Sequence, residues 1–333
     1  MATLGSNVLT LADWAKRVDP DGKISKIVEL LSQTNEILMD MLFMEGNMPT
    51  GHRTTVRAGL PTVAWRLLNQ GITPSKSTTA QIDEACGMLE AWSEVDVELA
   101  KLSGNAASFR ISEAQAFIEA MNQEMASTLF YGNSSTAPEE FTGLSARYSS
   151  LSATSGQNVI TGSGSGSDNS SVWLVVWGQQ SVHGIFPKGS KAGLEHNDLG
   201  EVTVETTAGI AGSRMRAFQD QFKWKCGIAL RDWRYVVRIP NIDISNLVAK
   251  SSAADLQELM IKAIHRIPTF ASGKAAFYMN RSCHQMLDIQ RRDDVISGGQ
   301  LGYENVDGKP VLNFRGIPVR KCDALLETEA AVA

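Results

Sequence analysis

Three short stretches carry side chains whose types and spacing could do chemistry. GIFPKGSK, from Gly184 to Lys191, follows a β-branched run and spaces its glycines like a phosphate-cradling loop. Such a loop ends in Lys followed by Ser or Thr, so that the ammonium reaches the phosphates and the hydroxyl meets the metal. Here Ser190 precedes Lys191, and nucleotide binding is not supported. Glu195, His196, Asn197 and Asp198 bring metal-capable groups together, but no second ligand pair follows at useful spacing, and the four read as a polar turn. Cys283 and His284 are a nucleophile and a base, yet neighbours on a helix point about 100° apart and cannot meet as a dyad. Neither a G-x-S-x-G elbow nor an H-E-x-x-H pair occurs. No catalytic, cofactor-binding or metal-binding set emerges, and the sequence reads as that of a non-enzymatic protein.

Composition narrows the class. A chain of 333 residues can bury a large core and is long enough for about two domains. With 43% hydrophobic and 20% charged residues it belongs with folded globular proteins rather than disordered or membrane ones. A net charge of −5 argues against tight binding to nucleic acid, which depends on concentrated Lys and Arg. Cys86, Cys226, Cys283 and Cys322 lie far apart with no CxxC pair, as expected of free thiols in a reducing cytoplasm. The start of the chain lacks a basic region followed by an apolar stretch, and no run approaches the ~18 apolar residues of a membrane span.

The element that must organise the fold is a helix predicted over 112–131. Ser112 and Gln115 have capping-box spacing, and Gly132 with Asn133 suits a left-handed stop. Phe117, Met121 and Met125 fall on its apolar face, where they would seat it on a neighbouring layer. Before it, the pattern predicts a short helix near Thr10 to Val18 and an amphipathic helix from Ser25 to Phe43 with Ile27, Leu30, Leu31, Ile37, Leu38 and Met41 inward. Residues 51–100 read as two long extended runs around the polar tip TPSKSTT, with Cys86, Met88, Glu90 and Trp92 on one face of the returning run. A two-stranded ribbon is marginal alone and leaves open edges, so it should lie against another part of an assembly.

After the helix, Gly162 to Ser171 reads as a flexible Gly/Ser loop. Strands are predicted at SVWLVVWG, SVHGIFP, EVTVETTAG and DQFKWKCGIALRDWRYVVRIP. Lys223, Lys225, Arg231, Arg234 and Arg238 make the last of these a locally basic ribbon. A helix follows over 252–266, then a strand into a helix capped near Asn280, then two closing strands turning at Arg315 and Gly316.

The order of these pieces carries a resemblance. A short arm, an RTTVR…AWR…GI…SKST run, a long helix ending LFYGNSSTAPEEFTGL, a later AAFYMNRSCHQMLDIQ and a closing NFRGIPVRKCD together resemble the major capsid proteins of tailed bacteriophages, in particular those of short-tailed phages such as the Bordetella phage. The resemblance implies an α+β, HK97-like shell subunit. It implies an N-terminal arm and helix over 1–49, an E-loop over 50–96, a P-domain over 97–150 carrying the spine helix, an A-domain with inserted strands over 151–300, part of which could complete the P-domain, and closing strands over 301–333. Because the strands of 172–240 precede the GIPV strand, the expected connectivity is a rearranged one.

Such a subunit would self-assemble into pentamers and hexamers of an icosahedral head around double-stranded DNA, made in the bacterial cytoplasm. Its partners would be other copies, a scaffolding protein, a portal, a cement or decoration protein, and packaged DNA through weak contact, with no membrane. The contact candidates are Arg53, Arg57, Trp65, Arg66, Lys76 and Trp92, with Trp65 and Trp92 as packing anchors and the three arginines as ion-pair candidates. Lys76 stands at the tip, where some relatives form a covalent cross-link. The alternative is a β-rich nucleic-acid-binding protein using the ribbon Lys223 to Arg238.

Overall fold

A computed structural model describes residues 9–16, 31–102, 104–205, 212–293, 301–306 and 309–333. The N-terminal part holds helices α1 (Leu11–Lys16) and α2 (Ile37–Asp40) and strand β1 (Phe43–Glu45). Of the helix expected from Ser25, only one turn forms within its described part; Val18, Ile27 and Leu30 lie outside the described residues. Sheet contacts override the amphipathic pattern. Asn35 bridges to Cys322, and Phe43 to Glu45 run parallel to Gly184 to Phe186, so Ile37 and Met41 are buried while Leu31 and Met39 face solvent.

Strands β2 (Gly51–Gly59) and β3 (Thr78–Ala85) pair antiparallel from Gly51 with Ala85 to Gly59 with Thr78. The long hairpin is present, but its returning run divides. After Cys86 the chain leaves β2, and β4 (Gly87–Asp96) joins the main sheet instead. Met88, Glu90 and Trp92 share a face as expected, and that face is the exposed one; Ser93 and Val95 turn inward. After α3 (Val97–Leu102) comes α4 (Ala106–Tyr131), the longest of the described helices. It begins before Ser112, because Asn105 is the cap and accepts a hydrogen bond from Ser108 N at 3.1 Å. Ser112 Oγ instead donates back to Phe109 O within the helix. The far end stops at Tyr131 as expected, but Gly132 is extended (φ −52, ψ 137) rather than left-handed. Glycine is required there for close approach: a Cβ would lie 2.6 Å from both the Thr128 and the Phe141 carbonyl oxygens.

Helix α5 (Leu144–Arg147) leads into the central strands β5 (Asn169–Trp177), β6 (Val182–Phe186), β7 (Leu194–Glu205), β8 (Arg214–Leu230) and β9 (Val236–Asp243). The Gly/Ser stretch is tied down rather than loose. Gly162 N and Gly164 N donate to Pro240 O and Asn241 O, and Asn169 to Ser171 are buried in β5. Glu195 to Asp198 do not form a turn; they are strand residues of β7, with a bulge between Asp198 and Gly200. Then follow α6 (Ile244–Ala249), α7 (Leu256–Arg266), β10 (Lys274–Met279) and α8 (Arg281–Asp293), the last capped by Asn280 Oδ1 accepting from Cys283 N at 2.8 Å. Strands β11 (Leu301–Val306), β12 (Lys309–Phe314) and β13 (Ile317–Lys321) close the fold. The β12–β13 turn has φ 51 at Arg315 and 80 at Gly316, two left-handed residues in succession as a two-residue hairpin of type I′ requires.

Among the described residues the strands form an eleven-stranded sheet, ordered β11-β12-β13-β10-β5-β6-β8-β4, with β1, β7 and β9 attached to β6, β8 and β5; β2 and β3 stand apart as their own pair. Every residue of β5 is buried, which accounts for its unbroken apolar run. Val172, Leu174 and Val176 meet α7 and α8 on one side of the sheet. Trp173, Val175 and Trp177 meet the C-terminal half of α4 with Ile37, Met41 and Leu325 on the other. The N-terminal half of α4 has a separate small core of Val95, Ala100 and Phe109.

Candidate assembly interface

The β2–β3 hairpin is pinned at its root and bare at its end. Arg147 donates through Nη1 and Nη2 to the two carboxylate oxygens of Glu84, at 2.6 and 2.5 Å, with both side chains largely buried. This bidentate pair locks β3 to the segment that follows the spine helix. On β2, Asn47 Oδ1 accepts from Arg53 N at 2.7 Å and Asn47 Nδ2 donates to Arg53 O at 2.8 Å. His52 accepts from Arg231 Nη2 at 3.1 Å and meets His183 edge-on at 5.9 Å. Burial, the Arg231 charge and His52 push the His183 pKa down to about 4.

Beyond the root, every residue from Leu60 to Asp83 is exposed. Trp65 is 104% exposed, Leu68 91% and Val63 88%, with Leu60 and Leu67 close behind. The loop's hydrogen bonds are internal: Ser75 Oγ donates to Thr62 O at 2.8 Å and Gln70 N to Leu67 O at 3.2 Å. Arg66 and Lys76 are exposed, and no described residue forms an ion pair with them. Arg57, also exposed, lines a cleft of about 840 Å³ between hairpin and body, together with Arg231 and Arg234. Arg53 makes its pair within the chain, to Asp83 at 2.6 Å, which raises the Arg53 pKa and lowers that of Asp83. Trp65 and Trp92, expected as packing anchors, both face solvent, Trp92 at 45% exposure on the open face of β4.

Three side chains of α4 are expected to seat it on a neighbouring layer, Phe117, Met121 and Met125. Met121 and Met125 are buried, and Phe117 stacks on Phe222 of β8 at 6.0 Å. Its N-terminal half is clamped by Arg110, whose Nη2 donates to Asp198 at 2.6 Å and Asp220 at 2.8 Å while the guanidinium lies 4.9 Å over the Phe218 ring. Burial works against the Arg110 charge, and the two carboxylates more than offset it, so its pKa is raised. His196 joins the cluster at 2.9 Å from Asp220 and stacks on Phe222. Sequence reasoning did not reach Arg110, Arg147 or Glu84, because their partners lie 63 to 110 residues away.

The other sequence candidates have structural employment. In GIFPKGSK, the amide of Gly189 donates to Glu45 Oε1 at 2.8 Å, which puts a carboxylate where a phosphate would sit. Burial pushes the thiols of Cys226, Cys283 and Cys322 up to about 12 and Cys86 up to about 11. The basic ribbon is not one face. Lys223 pairs with Glu90, Arg234 with Asp232, and Arg238 is buried against Glu329 at 2.8 Å, leaving no continuous cationic strip for a phosphate backbone. Among the described residues no helix is long and apolar enough to cross a membrane.

An exposed apolar loop on a braced stalk is a patch of the kind that marks interaction sites. The family model for the major capsid protein GP7 matches residues 19–333. This chain belongs to that family. The capsid subunit is also similar to a solved chain of bacteriophage Epsilon15, at 34% identity over 100% of this chain and 99% of that one, with a TM-score of 0.79. A solved chain from Microbacterium phage Oxtober96 is weakly similar, at 10% identity over 69% of this chain and 98% of that one, with a TM-score of 0.46, too low to add an argument. No curated protein sequence matches the subunit. The fold is the HK97-like one, and the subunit is a structural protein of the virion shell. The nucleic-acid-binding alternative has no support.

Proposed function

We propose that the subunit builds pentamers and hexamers of an icosahedral head around double-stranded DNA, and that the β2–β3 hairpin with the loop 60–77 is its principal reach onto neighbouring copies. The observation that carries the reading is the loop itself, a solvent-exposed run of large apolar side chains on a stalk fixed by Arg147 and Glu84. Patches of this kind mark interaction sites, and covering one such side chain is worth about 1.5–3 kcal/mol. On this reading 1–49 is an arm, 50–96 the E-loop, 97–150 the P-domain and 151–300 largely the A-domain, with 301–333 closing the last. Arg57, Arg66 and Lys76 steer the contact, and Trp65 and Trp92 anchor it. Scaffolding and portal proteins act on the assembling shell in the bacterial cytoplasm, a cement protein outside it is compatible with the open face of β4, and contact with packaged DNA is weak because the subunit is acidic overall. Electron microscopy and sedimentation of the protein, alone and co-expressed with head proteins, test this. Closed shells or capsomers from the native chain, and dispersed subunits when 60–77 is replaced by a Gly/Ser linker, are expected; shells from the linker variant would overturn the role of the loop.

A further inference from the structure

The loop needs a seat, and a groove on the body of the subunit has the complementary make-up. Between the start of β4, the C-terminal half of α4 and the 139–141 segment lies an open groove of about 270 Å³. Its floor and walls are Met88, Met125 and Phe141, and its charged members are Glu124, Glu139 and Glu140, with no cation among the lining residues. Nothing in the described chain covers it: Met88 is an exposed large apolar side chain, and Glu124 and Glu139 are exposed.

The hairpin carries the opposite character. From Gly46 to Ile82 the sequence contains Arg53, Arg57, Arg66 and Lys76 and no Asp or Glu. Arg53 is taken by Asp83 and Arg57 lines the cleft at the stalk, which leaves Arg66 and Lys76 in the loop with Trp65 and the leucines. An apolar groove ringed by three carboxylates and an apolar loop carrying two cations and no acid complement each other in both respects, and opposite charge on matching patches sets orientation and excludes wrong partners. No hydrogen bond joins the loop to the rest of the described residues, and its apolar side chains stand in solvent, which leaves the match open to a second molecule.

We infer that the groove bounded by Met88, Met125, Phe141 and the three glutamates receives the loop 60–77 of a second copy, with Trp65 entering the groove and Arg66 and Lys76 facing Glu124, Glu139 and Glu140. This rests on the reading of the loop as a subunit contact, and it adds the acceptor and the pairing.

Two measurements test it. Shells assembled from mixed isotopically heavy and light subunits are treated with a zero-length carbodiimide, which condenses the Lys76 amine with a neighbouring carboxylate with loss of water. Heavy-to-light peptides joining Lys76 to Glu124, Glu139 or Glu140 are expected; Lys76 joined to carboxylates elsewhere, and not to these, overturns the proposal. In parallel, charge reversal in the loop (R66E with K76E) and in the groove (E124K with E139K and E140K) should each raise the concentration needed for assembly at least about tenfold, and the two sets together should restore it to within about threefold of the native value. A groove variant that assembles normally while the loop variant fails refutes the acceptor but leaves the loop contact standing, as do defects that add without rescue. A loop variant that assembles normally refutes both. Unfolding of the soluble variants at the native midpoint separates these effects from misfolding.

Discussion

Replacing Trp65 by alanine should separate assembly from folding. The indole is 104% exposed and packs against none of the described residues, so the substitution removes no packing seen within the chain and the stability of the soluble subunit should change by less than about 0.5 kcal/mol. If Trp65 is an anchor buried between subunits, its truncation removes at least about 2 kcal/mol per contact, the threshold that defines a hot spot. With one loop per subunit, that amount multiplies the concentration required for assembly by roughly 30, since 1.4 kcal/mol is tenfold. The assay is light scattering or sedimentation of purified subunits across a dilution series, with particle diameter checked by electron microscopy. An unchanged assembly threshold would refute the anchor role. A large loss of stability in the isolated subunit would refute the premise that the loop stands free of its own body.

Other outcomes follow from the interior. Glu329→Gln should destabilise the soluble subunit by about 3–5 kcal/mol in denaturant titration, because Arg238, buried with it, would lose its counter-charge, and Ser171 and Tyr131 their charged acceptor; the paired replacement Arg238→Met with Glu329→Leu should recover most of the loss. His183 has its folded pKa depressed to about 4 from 6.5, so the unfolded chain binds the proton more readily; its contribution to stability is full above about pH 6.5 and is lost progressively as the pH falls toward 4. His284 acts in the same direction, and the slope of stability against pH in that window should shrink in His183→Leu. Glu84→Gln weakens the bidentate hold of Arg147 on the hairpin root, and hydrogen exchange in β2 and β3 should rise while β5 stays protected. Gly132→Ala should cost about 1–3 kcal/mol, since its Cβ meets two backbone oxygens at 2.6 Å that cannot both retreat.

The sequence by itself determined what depends on local pattern. The unbroken apolar run of β5, the Asn280 cap, the Arg315–Gly316 turn, the end of the spine helix at Tyr131 and the length of the hairpin are set by near neighbours, where period and turn chemistry act directly. The order of motifs likewise pointed to a phage shell subunit, because a family likeness is carried by the chain's wording rather than by its contacts. Tertiary structure decided everything that rests on distant partners. Asn105 rather than Ser112 opens the spine helix, since both can cap and Phe109 had to reach the small core with Val95. The helix expected before Phe43 gave way because strand pairing with 184–186 and the bridge to Cys322 satisfied more backbone than one amphipathic turn could. The basic ribbon dissolved because Arg238 found Glu329, 91 residues on, in a buried pair that no spacing announces. Even the face of β4 that carries Trp92 could not be assigned from alternation, because a period of two separates the faces without naming the one that α4 covers.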